Sequence, residues 1–296
     1  MKDDTRWRNL AKHEIADLVE PEQLLAFLQG RRNLVEKVLH LGAVTSTTER
    51  NVDLLVRENI RATLALLDWC TQAQKPLIYA SSAATYGDGA MGFKDEDTPQ
   101  ALSRLRPCNA YAWSKLVVDR RVARPRAQGE KLPPQILGLK FFNVFGPNEY
   151  HKGSMQSLIA KSYPRIAQGG AVRLYTSTHP AFADGGQQRD FLYVRDAVDV
   201  LLWLQDNPTI SGLLNVGSGQ ARSWLDLAKA MFAAVNKPCT VDFVDMPAEV
   251  AAGYQHFTQA DIGKLRALGY DKPMTLLEEG VADYVTAYLS KDDPYR

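Results

Sequence analysis

Short runs rich in β-branched and aromatic residues alternate along this chain with longer amphipathic runs, and that alternation restricts it to βαβ units around a parallel sheet, an α/β fold. Strand-like runs stand at KVLHLGA (37–43), PLIYASS (76–82), ILGLKFFNVFG (136–146) and GLLNVGS (212–218). Helical periodicity fills about 52–74, 110–124, 154–168 and 195–206. In the first helical run Leu54, Leu55, Ile60, Leu64, Leu66 and Leu67 recur near the helical period, which assigns them to the core. After about residue 220 the pattern loosens into a helix at SWLDLAKAMFAAVNK, a strand at CTVDFVDM, and helices over 259–267 and 274–289.

Each strand runs out into a polar or small-residue segment: GAVTSTTE, SSAATYG, FGPNEYHKGSM. Ligands of open α/β sheets bind beyond the carboxyl ends of the strands, so these three segments should converge on one site. With 296 residues, 45% apolar, the chain can bury a large core or two modest ones. A net charge of +1 gives no overall field for nucleic acid or an anionic membrane. Cys70, Cys108 and Cys239 lack metal-ligand spacing and read as buried thiols of a reducing compartment; no metal is expected. No apolar run approaches the roughly 18 residues of a membrane span, and MKDDTRWRNL has no signal-like apolar stretch, which points to the cytoplasm.

The pattern G-x-G-x-x-G occurs at Gly87, Gly89 and Gly92, but it runs into FKDEDTPQ instead of opening a helix, so it reads as a loop. NAYAWSK is more informative. Tyr111 and Lys115 lie four apart on one helix face, and an ammonium beside a phenol favours the phenolate, as a general acid/base at an alcohol requires. The spacing alone is common by chance. Its weight comes from Ser82, at the preceding strand end, which can donate a hydrogen bond to a substrate oxygen. Lys152 of HKGSM comes after the next strand, where an isolated basic residue beside glycine ordinarily reads as a solvated turn.

The order LHLGA, ENIRAT, YASSAATYG, NAYAWSK, FFNVFGP, RDFLYV, LLNVGSG resembles the extended short-chain dehydrogenase/reductase family. SSAATYG, GPNEYHKGSM, ADGGQQRDF and GYQHFTQADIGKLRALGYDKP are similar to its ADP-heptose 6-epimerase branch. The resemblance implies a Rossmann-type parallel sheet carrying NADP (NAD being possible) over 1–143, 189–219 and 255–290, and a smaller α+β substrate lobe over 144–188 and 220–254. It implies inversion of carbon 6 of an ADP-linked heptose for lipopolysaccharide biosynthesis, by oxidation to a ketone and re-reduction from the other face, in a homo-oligomer, a pentamer. Two acid/base groups then face each other across the carbonyl: Tyr111 and Lys152 match them by position. Lys115 would orient the nicotinamide ribose, and Ser82 would hold the sugar oxygen.

Arg6, Leu41, Gly42, Ala43, Val44, Thr45, Asn59, Asn143 and His151 match cofactor positions of the family. Asn143, Val144, Ser154, Arg189 and Tyr254 match substrate positions. Each has a plainer reading: Arg189 as an ion pair with Asp190 or Asp196, Tyr254 as a core aromatic, Asn143 as a strand-end cap, Ser82 as a turn residue, Asn59 as a bond to a neighbouring strand.

The family opens with a strand, a glycine-rich turn, a helix and a second strand, and MKDDTRWRNL resembles the family's segment just after that second strand. The expectation is therefore an N-terminally shortened chain whose strand 37–43 lacks a neighbour and which binds NADP weakly. Two further readings fit the same motif order: another nucleotide-sugar epimerase or dehydratase of the family, or a non-catalytic nucleotide-sugar-binding relic.

Overall fold

The strand Leu77–Ser82 is buried along nearly its whole length, as an unbroken apolar run at the centre of a parallel sheet requires, and the larger sheet forms around it. The structure is a computed structural model and describes residues 5–251 and 253–296. Its elements in chain order are α1 (Leu24–Gln29), β1 (Val38–His40), α2 (Val52–Leu55), a π-helical turn (Val56–Arg61), α3 (Ala62–Ala73), β2 (Leu77–Ser82), α4 (Pro99–Arg104), α5 (Ala110–Ala127), β3 (Ile136–Phe141), β4 (Asn143–Phe145), α6 (Leu158–Ala167), β5 (Val172–Tyr175), β6 (Gln188–Tyr193), α7 (Val194–Asp206), β7 (Gly212–Val216), β8 (Ala221–Ser223), α8 (Trp224–Ala234), β9 (Val241–Val244), α9 (Ala248–Ala251), α10 (Gly263–Ala267) and α11 (Leu277–Tyr284).

Among the described residues the order β1-β2-β3-β7 forms a wholly parallel sheet. A second sheet, β4-β6-β8, is parallel between β4 and β6 and antiparallel between β6 and β8; β5 and β9 form a parallel pair. Parallel neighbours bring the carboxyl ends of β1, β2 and β3 to one edge, where GAVTSTTE and SSAATYG begin, whereas FGPNEYHKGSM begins at the end of β4 in the second sheet. Among the described residues β1 has β2 as its ladder partner, and Leu39 and Leu41 are 38% and 45% exposed.

Several sequence expectations need correction. The run 136–146 is two strands: the Phe142 N–H still donates to the Val216 carbonyl at 3.1 Å, whereas Asn143–Phe145 registers against Phe191–Tyr193 of the second sheet. The helix expected from residue 154 starts at Leu158, capped by Ser157, whose hydroxyl accepts from the Ala160 N–H at 3.2 Å. Before it, Tyr150–Met155 is a 3-10 turn in which Gly153 takes φ +54°, ψ −121°, a geometry that a side chain resists. Only Gly263–Ala267 of 259–267 is helical, because Ala260 gives its N–H to Asp190 Oδ2 at 2.9 Å. Cys70 is buried, but Cys108 and Cys239 are exposed, since they lie in the loops before α5 and before β9.

Three apolar clusters hold the elements together. One joins α3, β2 and α5 through Leu66, Leu77, Leu116 and Val122; a second joins β3, β7 and α7 through Leu139, Leu214, Val200 and Leu204. The third joins α6, α8 and α11, where Leu277, Val281 and Tyr284 pack with Ile159, Leu227 and Met231. The C-terminal helix, expected with 189–219 and the larger sheet, packs in the cluster of α6 and α8 together with Phe191 and Tyr193. No helix among the described residues is long and apolar enough to cross a membrane.

Candidate active site

Helix α5 starts on Asn109, whose side chain accepts from the Ala112 N–H at 2.8 Å. Tyr111, Lys115 and Asp119 come at four-residue steps on one buried face. The Tyr111 hydroxyl is buried and hydrogen-bonded with Ser82, at the end of β2. The Lys115 ammonium donates to the Ala80 carbonyl at 2.7 Å. Burial lowers the Lys115 pKa to about 8, with the Asp119 carboxylate acting in the opposite direction. Burial also raises Tyr111, opposed by the bond from Ser82. The depression of the phenol expected from Lys115 is therefore not found, because the ammonium is turned to Ala80.

Around this dyad the strand-end segments are themselves fixed. Asn59, 1% exposed in the π-helical turn, accepts from the Val44 N–H at 2.9 Å and donates to the Val44 carbonyl at 2.9 Å and to Ser114 Oγ at 3.0 Å. Its amide is committed to the 41–45 segment, which is the plainer, structural role; Leu41, Gly42 and Thr45 are exposed, and Ala43 and Val44 half-buried. His40, at 3.0 Å from Thr63 Oγ1, is lowered to about 4 by burial and then by the charge of Lys115. Arg6 lies in the exposed 3-10 turn Thr5–Asn9. His151 and Lys152 are exposed on the Tyr150–Met155 turn; His151 Nδ1 is 3.0 Å from Asn9 Nδ2, and the Ser154 carbonyl receives Lys161 Nζ at 3.4 Å.

A cavity of about 500 Å³ opens beside β4, lined by Asn143, Val144 and Tyr254 among the expected residues, and by Lys161, Arg173 and Trp224, which the sequence reading missed. Trp224 looks like one more apolar position of an amphipathic helix, and surface-type lysines and arginines carry no signal of a cavity. Tyr111, Ser82 and Lys152 lie outside that lining. Arg189 is 6% exposed; its guanidinium stands 4.7 Å from the Tyr254 ring centroid and 5.9 Å from that of Trp224, and donates to the Gln188 carbonyl at 2.9 Å. The acids that could have paired with it are occupied. Asp190 accepts from Ser218, Gly219 and Ala260, and Asp196 from Thr275. Burial lowers the Arg189 pKa, opposed by Tyr254. Tyr254 is half-buried, and its hydroxyl accepts from Trp224 Nε1 at 2.8 Å.

Residues 2–217 match the family model described as NAD dependent epimerase/dehydratase family. The chain belongs to that family. It is 45% identical, over 98% of its length and 88% of the relative's, to the ADP-L-glycero-D-manno-heptose-6-epimerase of Nitratidesulfovibrio vulgaris. Identity to the protein of the same name from Fusobacterium nucleatum is 41%, covering 100% of this chain and 90% of the other. The crystal structure of that epimerase from Helicobacter pylori superposes with a TM-score of 0.69 at 27% identity, over 91% of this chain and 77% of that one. Membership of the epimerase/dehydratase family makes the chain an enzyme with the Rossmann-type fold and a nicotinamide cofactor.

Proposed function

We propose that this enzyme is an ADP-glyceromanno-heptose 6-epimerase serving lipopolysaccharide inner-core heptose synthesis. The observation that carries the reading is the 45% identity across 98% of the chain to a protein of that name. The geometry supports it at both ends of such a substrate. At the nucleotide end, Arg189 is a buried guanidinium with no carboxylate partner among the described residues, and a planar cation suits a diphosphate bidentately. At the sugar end, Tyr111 and Ser82 share a hydrogen bond where β2 ends.

The carboxyl ends of β1, β2 and β3 fit the nicotinamide and its ribose: Leu41–Thr45, held in place by Asn59, with Ser82, Lys115 and Asn143, would line them. Among the described residues the G-x-G-x-x-G turn packs Gly89 against Phe93 and opens no helix, so it offers the phosphates no cradle. Arg6 would favour NADP over NAD, and His151 would be a further cofactor contact. When bound, the nicotinamide supplies the hydride acceptor and, in reverse, the donor.

As the phenolate, Tyr111 would take the proton of the carbon-6 hydroxyl as the carbinol is oxidised, while Ser82 holds the oxygen. The ketone turns about its exocyclic bond, and the Lys152 ammonium delivers a proton to the oxygen on the opposite side. Exposed Lys152 recovers its proton from solvent, and Tyr111 must release its own before the next turnover. Substrate contacts at Asn143, Val144, Ser154 and Tyr254, the two-unit division and a homo-oligomer, a pentamer, in the cytoplasm belong to the same reading.

Interconversion of the two ADP-heptose epimers, followed by NMR with NADP or NAD supplied, tests it. Tyr111→Phe and Lys152→Met should each slow turnover by roughly a hundredfold or more. Turnover undiminished in Lys152→Met would instead select an epimerase that works with Tyr111 alone.

A further inference from the structure

Lys140 of β3 and Asp119 of α5 are both 0% exposed and lie 3.0 Å apart where the helix covers the larger sheet. A buried ion pair of this kind adds little stability over an apolar pair of equal volume, because desolvation offsets the attraction. Its partners suggest another purpose. Asp119 accepts from Tyr79 at 3.1 Å and Ser81 at 2.8 Å, the two residues flanking Ala80, whose carbonyl holds the Lys115 ammonium. Lys140 donates to Thr85 Oγ1 at 2.6 Å, and Thr85 donates to the carbonyl of Ser82 at 2.7 Å, the residue bonded to Tyr111. The Tyr86 ring lies 4.6 Å from the Lys140 ammonium on a further side. In the ladder, Lys140 is the register partner of Ser81.

We propose that the Asp119–Lys140 pair is a positioning device that locks the carboxyl end of β2 against α5, so that Lys115, Ser82 and Tyr111 keep one relative placement. Asp119 grips β2 on either side of Ala80 and so places Lys115; Lys140 grips it through Thr85 and so places Ser82 against the phenol. Neither residue touches the reacting atoms. Asp119 also acts on the charge of Lys115, four residues before it on the same helix, and Lys115 acts in turn on His40 of β1. His40 is neutral at working pH, so Asp119 is the group that favours the Lys115 charge.

The inference rests on the epimerase reading, and the test separates the two. Epimerisation is measured as a function of pH for Tyr111→Phe, Lys115→Met, Asp119→Asn, Lys140→Arg and the double variant Asp119→Leu/Lys140→Met, with folding checked by circular dichroism. The double variant removes both charges together and guards against a misfolded single one. Expected are a loss in kcat of about tenfold or more with KM within about threefold for Asp119→Asn and the double variant, since small misplacements at a reacting centre are costly. The alkaline limb of Asp119→Asn should move to lower pH, because Lys115 loses the carboxylate that favours its charge. Lys140→Arg, which keeps the cation, should retain most of the rate. A folded double variant with the kcat and pH profile of the parent overturns the inference while leaving the epimerase reading intact, provided Tyr111→Phe and Lys115→Met are inactive. Full turnover in those two variants removes the roles given to Tyr111 and Lys115, and this inference with them, while absence of epimerisation in the parent removes the epimerase reading.

Discussion

At Lys115 the protein holds a lysine near a pKa of about 8, against 10.5 in water, so its charge opposes folding at neutral pH. The sign is fixed by linkage. Between about 8 and 10.5 the unfolded chain keeps a proton that the folded chain has released, so stability rises with pH across that window, while below it the full penalty is in place and does not vary with pH. Urea unfolding of the parent and of Lys115→Met at several pH values between 8 and 10 should show the difference shifting in favour of the parent; a flat difference refutes the depressed value. Arg189 gives a second residue-scale outcome. Arg189→Leu should raise KM by roughly tenfold to a hundredfold with kcat changed far less, and Arg189→Lys should restore little, because an ammonium lacks the planar fork. Tyr111, Lys115 and Ser82 were legible because helix spacing and a strand end bring them together locally. Asp119 and Lys140 were not: each alone resembles a solvated charge, and only the packing of α5 on the sheet reveals that they meet in the interior.

At the scale of elements, β3 depends on Gly138. A Cβ there would stand 2.5 Å from both the Tyr79 hydroxyl oxygen and Leu213 Cδ2, so close approach of β2 and β7 side chains requires a bare backbone. Gly138→Ala should lower stability by about 1–3 kcal/mol in urea titration, as overpacking does, and a neutral result would show that Tyr79 can move aside. Helix α5 depends on its cap: Asn109→Ala should cost about 1 kcal/mol. Element types were readable from periodicity, whereas their ends were set by partners remote in sequence. The helix after residue 154 waits for Ser157, and the strand 136–146 breaks at Phe142 because Asn143–Phe145 finds a different neighbour. Nothing local to FFNVF announces that change of partner.

For the whole molecule, the parallel sheet could be read from the alternation of runs. The packing of α11 with α8 could not, since an amphipathic helix does not name the surface that its apolar face will cover. The joint between the two sheets is a single buried residue: the Phe142 N–H still donates to Val216 of the first, and Asn143 already stands beside Phe191 of the second. The chain has no slack between the ladders, so one glycine inserted after Phe142 should throw one of the two out of register and lower the urea midpoint; an unchanged midpoint would show that the sheets absorb the extra residue. Whatever lines the seam thus inherits its placement from two ladders at once.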